Sequence, residues 1–151
     1  MPELFPTFDV PGIETLSPEV ENLQKHSAYF DFTKGDFVQN KSGILQRATP
    51  YDAWVQWCLK AVVTERDAFY AYGTNEGVEM IDALNEPVRA AQESSIERTV
   101  TEALLADPYK RTLYVRDFVF VWGVDSLDVT CTIGGVWERE ASINFKVNTR
   151  G

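Results

Sequence analysis

Histidine occurs once in the 151 residues, at position 26, and cysteine twice, at positions 58 and 131. A zinc site needs about four His, Cys or carboxylate ligands at short local spacing, so this scatter excludes one. It also excludes Cys-x-x-Cys redox chemistry. A Ser-His-Asp or Cys-His arrangement is left with a single imidazole in a polar stretch near the N-terminus, a poor scaffold for a nucleophile's base. Cys58 and Cys131 fall in contexts that read as a helix interior and a strand, where a buried free thiol is expected. Positive charge is scarce as well: 14 Lys and Arg, scattered along the chain, stand against 23 Asp and Glu, for a formal net charge of -9. Such a surface repels phosphate backbones and anionic lipid, so neither nucleic acid nor a membrane is an expected partner. No stretch approaches the ~18 apolar residues of a membrane span, and Met1-Pro2-Glu3-Leu4-Phe5-Pro6 lacks the basic-then-apolar order of a signal peptide. A protein made in, and soluble in, a cytoplasm is the expectation. A Gly-rich phosphate loop is missing too, and no cofactor is expected.

What the chain does have is apolar material: 44% of it is hydrophobic and 13% aromatic, enough to fill one core without disulfide or metal. Four of the seven prolines (Pro2, Pro6, Pro11, Pro18) fall before residue 28, which discourages regular structure there. Leu4, Phe5, Phe8, Val10, Ile13, Leu16, Val20 and Leu23 punctuate this stretch singly. Residues 1–27 therefore read either as an extended Pro-rich arm lying on its own domain or on a neighbouring subunit, or as a partly disordered tail, and 28–151 as the folded domain.

Within the domain, Tyr29 to Val38 predicts two short strands around the turn at Gly35. Thr49, Pro50 and Asp52 form a box-like helix start. Trp54, Trp57, Cys58, Ala61 and Val62 then recur at helical spacing to about Thr64, with Val55, Leu59 and Val63 widening the stripe, so this helix is expected to be buried on most sides. The two tryptophans read as core. A short helix capped by Asn75 is expected to share a face of Val78, Ile81 and Leu84. A third runs from about Pro87 to Ala106, with Ala91, Ile96, Val100, Ala103 and Leu104 inward, and Asp107-Pro108 stops it.

After Arg111 the period changes to two. Leu113 to Trp122 carries Val115, Val119 and Val121 on one face and Tyr114, Phe118, Phe120 and Trp122 on the other, which predicts a central strand. Leu127, Val129, Cys131 and Ile133 alternate with Asp128, Thr130 and Thr132, and Ile143, Phe145 and Val147 with Ser142, Asn144 and Lys146, each a strand with one wet face. The expected fold is α+β: a short N-terminal hairpin, three helices, then a three-stranded antiparallel meander with the helices on one face.

Paired carboxylates of a glycosidase type are the remaining catalytic possibility, drawn from Glu65, Glu79, Glu86 or Glu102. The competing reading is structural: Glu65 and Arg66 close the end of the first helix, and Glu79 accepts hydrogen bonds from a neighbouring Tyr or Arg. With no other catalytic feature in the chain, no catalytic residue and no metal ligand is assigned.

Thr64-Glu65-Arg66, a loop with Tyr70 and Tyr72, then Gly77-Val78-Glu79 and Leu84, together with Asp31-Phe32-Thr33-Lys34-Gly35-Asp36-Phe37, Ile96-Glu97-Arg98 and Glu102-Ala103-Leu104-Leu105, form a pattern over about residues 29–149. It resembles the XkdS-like proteins of contractile phages and defective prophages, and through them the wider baseplate-wedge, sheath-initiator family whose phage founders were once labelled lysozymes. The resemblance implies a non-enzymatic virion component of a phage-tail baseplate or other contractile injection particle, assembled in the host cytoplasm and linking baseplate wedge proteins to the first ring of tail sheath, with tail tube or hub proteins as further partners. The family's Glu-Pro-Arg triplet after the long helix, which helps hold wedge proteins together, corresponds here to Asp107-Pro108-Tyr109-Lys110-Arg111. That implies wedge docking through Asp107, Pro108 and Arg111. The last strand, with Ile143, Phe145 and Val147, offers an edge for sheath docking, since main-chain pairing at a sheet edge is a generic binding mode. The alternatives from other classes are a murein hydrolase and a generic cytoplasmic adaptor that binds one peptide.

Overall fold

The computed structural model describes residues 27–68 and 76–149. All of the proposed arm but Ser27 lies outside the described residues, as do Tyr70, Tyr72 and Asn75.

Ser27–Ala28 (β1) opens the described chain, followed by Phe30–Asp31 (β2) and Asp36–Phe37 (β3). The expected hairpin is present: β2 and β3 pair antiparallel, Phe30 opposite Phe37 and Asp31 opposite Asp36. Its turn is set by the Asp31 carboxylate, which accepts from the N–H groups of Thr33 at 2.9 Å and Lys34 at 3.2 Å, and by Gly35 at φ +72°. A short Asx-type turn of this kind positions the chain reversal locally. A second ladder was not expected: β1 pairs antiparallel with Arg47–Ala48 (β4), bracketing the hairpin. Two-residue strands of small and polar residues offer no periodic signal, so only the folded partner reveals them.

Helix α1, Pro50–Val63, begins as the capping pattern dictates. The Thr49 hydroxyl accepts from the Asp52 N–H at 3.2 Å and donates to the Asp52 carboxylate at 2.8 Å. Ala53, Trp54, Cys58, Ala61 and Val62 are buried, and Val55, Trp57 and Leu59 half-buried. Trp54 is the pivot of the core, its indole N–H donating to the Thr112 hydroxyl at 2.9 Å. Its ring lies so close over Gly135 that a Cβ there would stand 2.7 Å from it.

The second helix, α2, starts later than the sequence suggests, at Met80–Leu84, with Glu79 at its N-cap position. Met80 and Ala83 are its buried residues, Val78 precedes it, and Ile81, expected inward, is exposed. Helix α3, Arg89–Leu105, buries Ile96, Thr99, Val100, Ala103 and Leu104. This matches the expected face, with Thr99 added and with Ala91 only half-buried at the N-terminal end.

The meander is formed by Thr112–Trp122 (β5), Ser126–Gly135 (β6) and Glu140–Asn148 (β7), in the order β5-β6-β7. Among the described residues the middle strand is thus β6, and β5, expected to be central, lies at an edge. Its inward face also differs from a straight alternation, because the ladder is irregular between Arg116 and Val119, where Asp117 takes φ +56°. A β-bulge inserts an unpaired residue and reverses which side chains face in. Val115 therefore packs on the core with Phe118, Phe120 and Trp122, while Tyr114, Val119 and Val121 are exposed. β5 is thus apolar on both faces, with Leu113, Tyr114, Val119 and Val121 left facing water, and two-sided apolarity by itself does not make a strand central.

Leu127, Val129, Cys131 and Ile133 of β6 and Ile143 and Phe145 of β7 bury one face against Trp54, Cys58, Val62, Ile96, Val100 and Leu104. Helix α1 lies against β7, α3 against β5, and the two helices touch. The helices cover one face of the three-stranded sheet, and the architecture is α+β.

Candidate functional site

The residues of the Thr-Glu-Arg and Gly-x-Glu motifs meet at one joint. Where α1 ends, the Thr64 hydroxyl donates to the Lys60 carbonyl at 2.7 Å, satisfying one of the helix's last acceptors. The chain then runs parallel to 77–79: Val78 N–H donates to the Thr64 carbonyl and Arg66 N–H to the Val78 carbonyl, both at 2.9 Å. Gly77 is required for this approach. It takes φ +93°, and a Cβ would sit 2.5 Å from the Thr64 carbonyl oxygen, so no L side chain fits without displacing the ladder.

Side chains lock the same joint. The Glu65 carboxylate accepts from the N–H groups of Met80 at 3.1 Å and Ile81 at 3.4 Å, capping α2, whose own N-cap residue makes no side-chain cap. An acceptor on the orphan amides of a helix start is the usual stabilising device, here supplied from another segment. The Arg66 guanidinium donates to Glu79 at 3.0 Å and to the Gly77 carbonyl at 3.3 Å. The Glu79 N–H donates to the Thr99 hydroxyl at 2.7 Å, tying the joint to α3. Thr99 escaped notice in the sequence, although its place between Ile96 and Ala103 on the inward face of α3 was the available signal.

The segment after α3 is a second built feature. The Asp107 and Arg111 side chains are 0% and 6% exposed, and the Arg111 Nε donates to Asp107 at 2.8 Å and its Nη2 at 3.2 Å. The same carboxylate accepts the N–H groups of Tyr109 and Arg111, each at 3.1 Å. Asp107 is thus satisfied by four donors, which is what a buried carboxylate needs. Arg111 also lies over the rings of Trp57 at 5.7 Å and Tyr109 at 5.2 Å. Both charges are directed at each other, while Pro108 and Lys110 face out. Lys110, at φ +53°, supplies the reversal that brings Arg111 back onto Asp107.

The third feature is β7. Among the described residues it pairs with β6 alone, so its other edge is open. Ile143 and Phe145 are buried core residues and Val147 is half-buried, so what the strand presents outward is its backbone. Beside it, a groove of about 260 Å³ is lined by Val63, Ile81, Leu84 and Val147 among others. Val63 and Ile81 are each 63% exposed.

An aromatic cluster and a charged network complete the picture, and neither was anticipated. Trp137 packs on Tyr51 and Trp54 with centroids 6.0 and 5.3 Å apart, and Arg139 lies 4.1 Å over Tyr51. On the outer face, Glu140 accepts from the Tyr114 hydroxyl at 2.5 Å and pairs with Arg116. The Tyr114 hydroxyl is held above its ordinary pKa, chiefly by that hydrogen bond. Burial pushes the thiols of Cys58 and Cys131 up to about 12, so both are protonated and inert near neutrality. Among the described residues no three His, Cys, Asp or Glu side chains are disposed to hold a metal, and no helix is long and apolar enough to cross a membrane.

Residues 27–136 match the sequence family described as contractile injection system sheath initiator. No curated protein matches the chain.

Proposed function

The chain belongs to the contractile injection system sheath initiator family, and from that premise we propose that it links baseplate wedge proteins to the first sheath ring, as an XkdS-like component of a phage tail or related particle. A structural, sheath-associated role follows from the family. The finer assignment rests on the edge of β7 that is open among the described residues, beside the groove at Val63 and Ile81. A strand added to β7 gains main-chain hydrogen bonds from the edge, and its alternate side chains gain apolar cover from the groove. That combination suits a sheath subunit's extended segment.

Wedge contact is assigned to the 107–111 turn. Asp107 and Arg111 act there through the shape they hold, because their charged groups are engaged with each other and buried. The outward residues Pro108 and Lys110 carry the contact. Tail tube or hub proteins are further partners at surfaces left unassigned.

The test is particle assembly with variants of exposed groove residues. Val63→Asp and Ile81→Asp are expected to leave the monomer folded, and to yield baseplates that contain the protein but do not start a sheath. Lys110→Glu in the turn is expected to reduce incorporation into the baseplate itself. Sheathed particles at wild-type yield from the Val63→Asp, Ile81→Asp double variant would overturn the assignment of the β7 edge.

A further inference from the structure

A second groove, of about 500 Å³, lies between the 27–37 ladders, α1 and the 107–111 turn. Phe30, Phe32, Phe37 and Trp57 give it an aromatic lining, with the Phe30 ring edge-on to Phe32 and Phe37 at 5.0 and 5.1 Å. Phe32 and Phe37 are 46% and 47% exposed, an arrangement in which one cluster leaves two large rings facing water. Among the described residues that line it, Lys60 and Arg111 are the cations and none is a carboxylate. Arg111 is matched by Asp107 beneath it, so among the described residues this stretch of surface presents no acid, on a chain whose net charge is -9. An acidic, apolar segment meets less repulsion here than over the rest of so acidic a surface.

The chain contains such a segment. Residues 1–26 carry Leu4, Phe5, Phe8, Val10, Ile13, Leu16, Val20 and Leu23 as apolar anchors and Glu3, Asp9, Glu14, Glu19 and Glu21 as acids, against Lys25 as the one Lys or Arg. It joins the described chain at Ser27, which itself lines the groove. We propose that the groove is the docking site for the acidic, Phe-containing N-terminal segment of the same chain. The tether decides in favour of the same chain over a second copy: a linker of this length holds the segment at an effective concentration in the millimolar range, far above ordinary protein concentrations. The cost of closing so short a loop rises only slowly with its length. The inference does not depend on which partners the assembled particle supplies.

The experiment uses the full chain, with Phe5 or Phe8 replaced in turn by the photo-crosslinking residue benzoylphenylalanine, irradiated at micromolar protein concentration and mapped by mass spectrometry. The expected result is intrachain crosslinks to Phe32, Phe37 and Trp57. In the backgrounds Phe32→Ser and Lys60→Glu, both at exposed side chains and both checked for an unchanged circular dichroism spectrum, the yield at the groove is expected to fall about tenfold, the population ratio set by 1.4 kcal/mol of docking. Raised salt is expected to lower the yield in the parent protein as well. Crosslinks between chains would assign the groove to a second copy, and crosslinks spread over distant sites such as Val124, or unaffected by either groove variant, would equally overturn the proposal.

Discussion

Gly77 shows how a single residue controls the joint between α1 and α2. Both its φ of +93° and the 2.5 Å approach to the Thr64 carbonyl oppose any Cβ, so Gly77→Ala is expected to lower stability by about 1–3 kcal/mol. Urea unfolding should register this as a lower midpoint with an unchanged slope. The Asp107–Arg111 pair carries a larger stake because both partners are buried. Asp107→Ala strands the guanidinium and is expected to cost about 3–5 kcal/mol. Arg111→Lys should recover only part of what a loss of Arg111 removes, since an ammonium cannot make the two-pronged contact; equal stability of Arg111→Lys and the parent protein would show that the fork geometry is unimportant. The two thiols give a pH signature. Their folded pKa of about 12 lies above the ordinary thiol value of 9.0, so the folded state holds their protons more tightly than the unfolded chain. Their contribution is fully present below pH 9 and is lost as pH rises toward 12. Alkylation at pH 8 is expected to modify neither cysteine until urea unfolds the protein.

At the scale of elements, the helix starts differ in where their caps come from. The cap of α1 is local, with Thr49 and Asp52 satisfying each other. Thr49→Ala is expected to cost about 1 kcal/mol, read by calorimetry as a fall in Tm of a few degrees. The cap of α2 is Glu65, on the other side of the motif. For that reason the first start was legible in the sequence and the second was not: a side chain that caps a helix from 15 positions away leaves no mark beside the helix. The strands divide in the same manner. Leu127 to Ile133 and Ile143 to Phe145 alternate without interruption, and their inner faces were readable residue by residue. In β5 the bulge at Asp117 breaks the count, and a strand that reads as central lies at an edge among the described residues. The β1–β4 ladder, two residues to a strand, lies below what any period can signal.

For the whole molecule, the disposition of its carboxylates argues for a scaffold. Glu65 spends its carboxylate on two helix amides, Glu79 on Arg66, and Asp107 on Arg111 and two backbone N–H groups. Groups used in this way are poorly placed to carry an acid and a base through a glycosidase cycle. The purified protein is therefore expected to leave peptidoglycan intact at every pH tested, measured by the clearing of a cell-wall suspension. Turnover that vanished in Glu65→Gln would contradict the scaffold reading. The proposed docking surfaces lie elsewhere: the edge of β7 that is unpaired among the described residues, with its groove, and the outward tip of the 107–111 turn.

The sequence by itself determined the class of fold and the inward faces of α1, α3, β6 and β7. These depend on periodicity, caps and local spacing, all of which are written within a few residues of where they act. Only the tertiary structure decided that Glu65 caps α2, that Arg66 reaches Glu79, that Arg111 folds back to bury Asp107, and that β6 stands between β5 and β7. Each of these is a contact between segments, and its energy comes from satisfying a buried polar group or an open ladder with whatever the fold brings alongside. The pattern of side chains along a strand states how much of it is apolar, but its place in the sheet depends on which neighbours arrive, and no single stretch of chain contains that information.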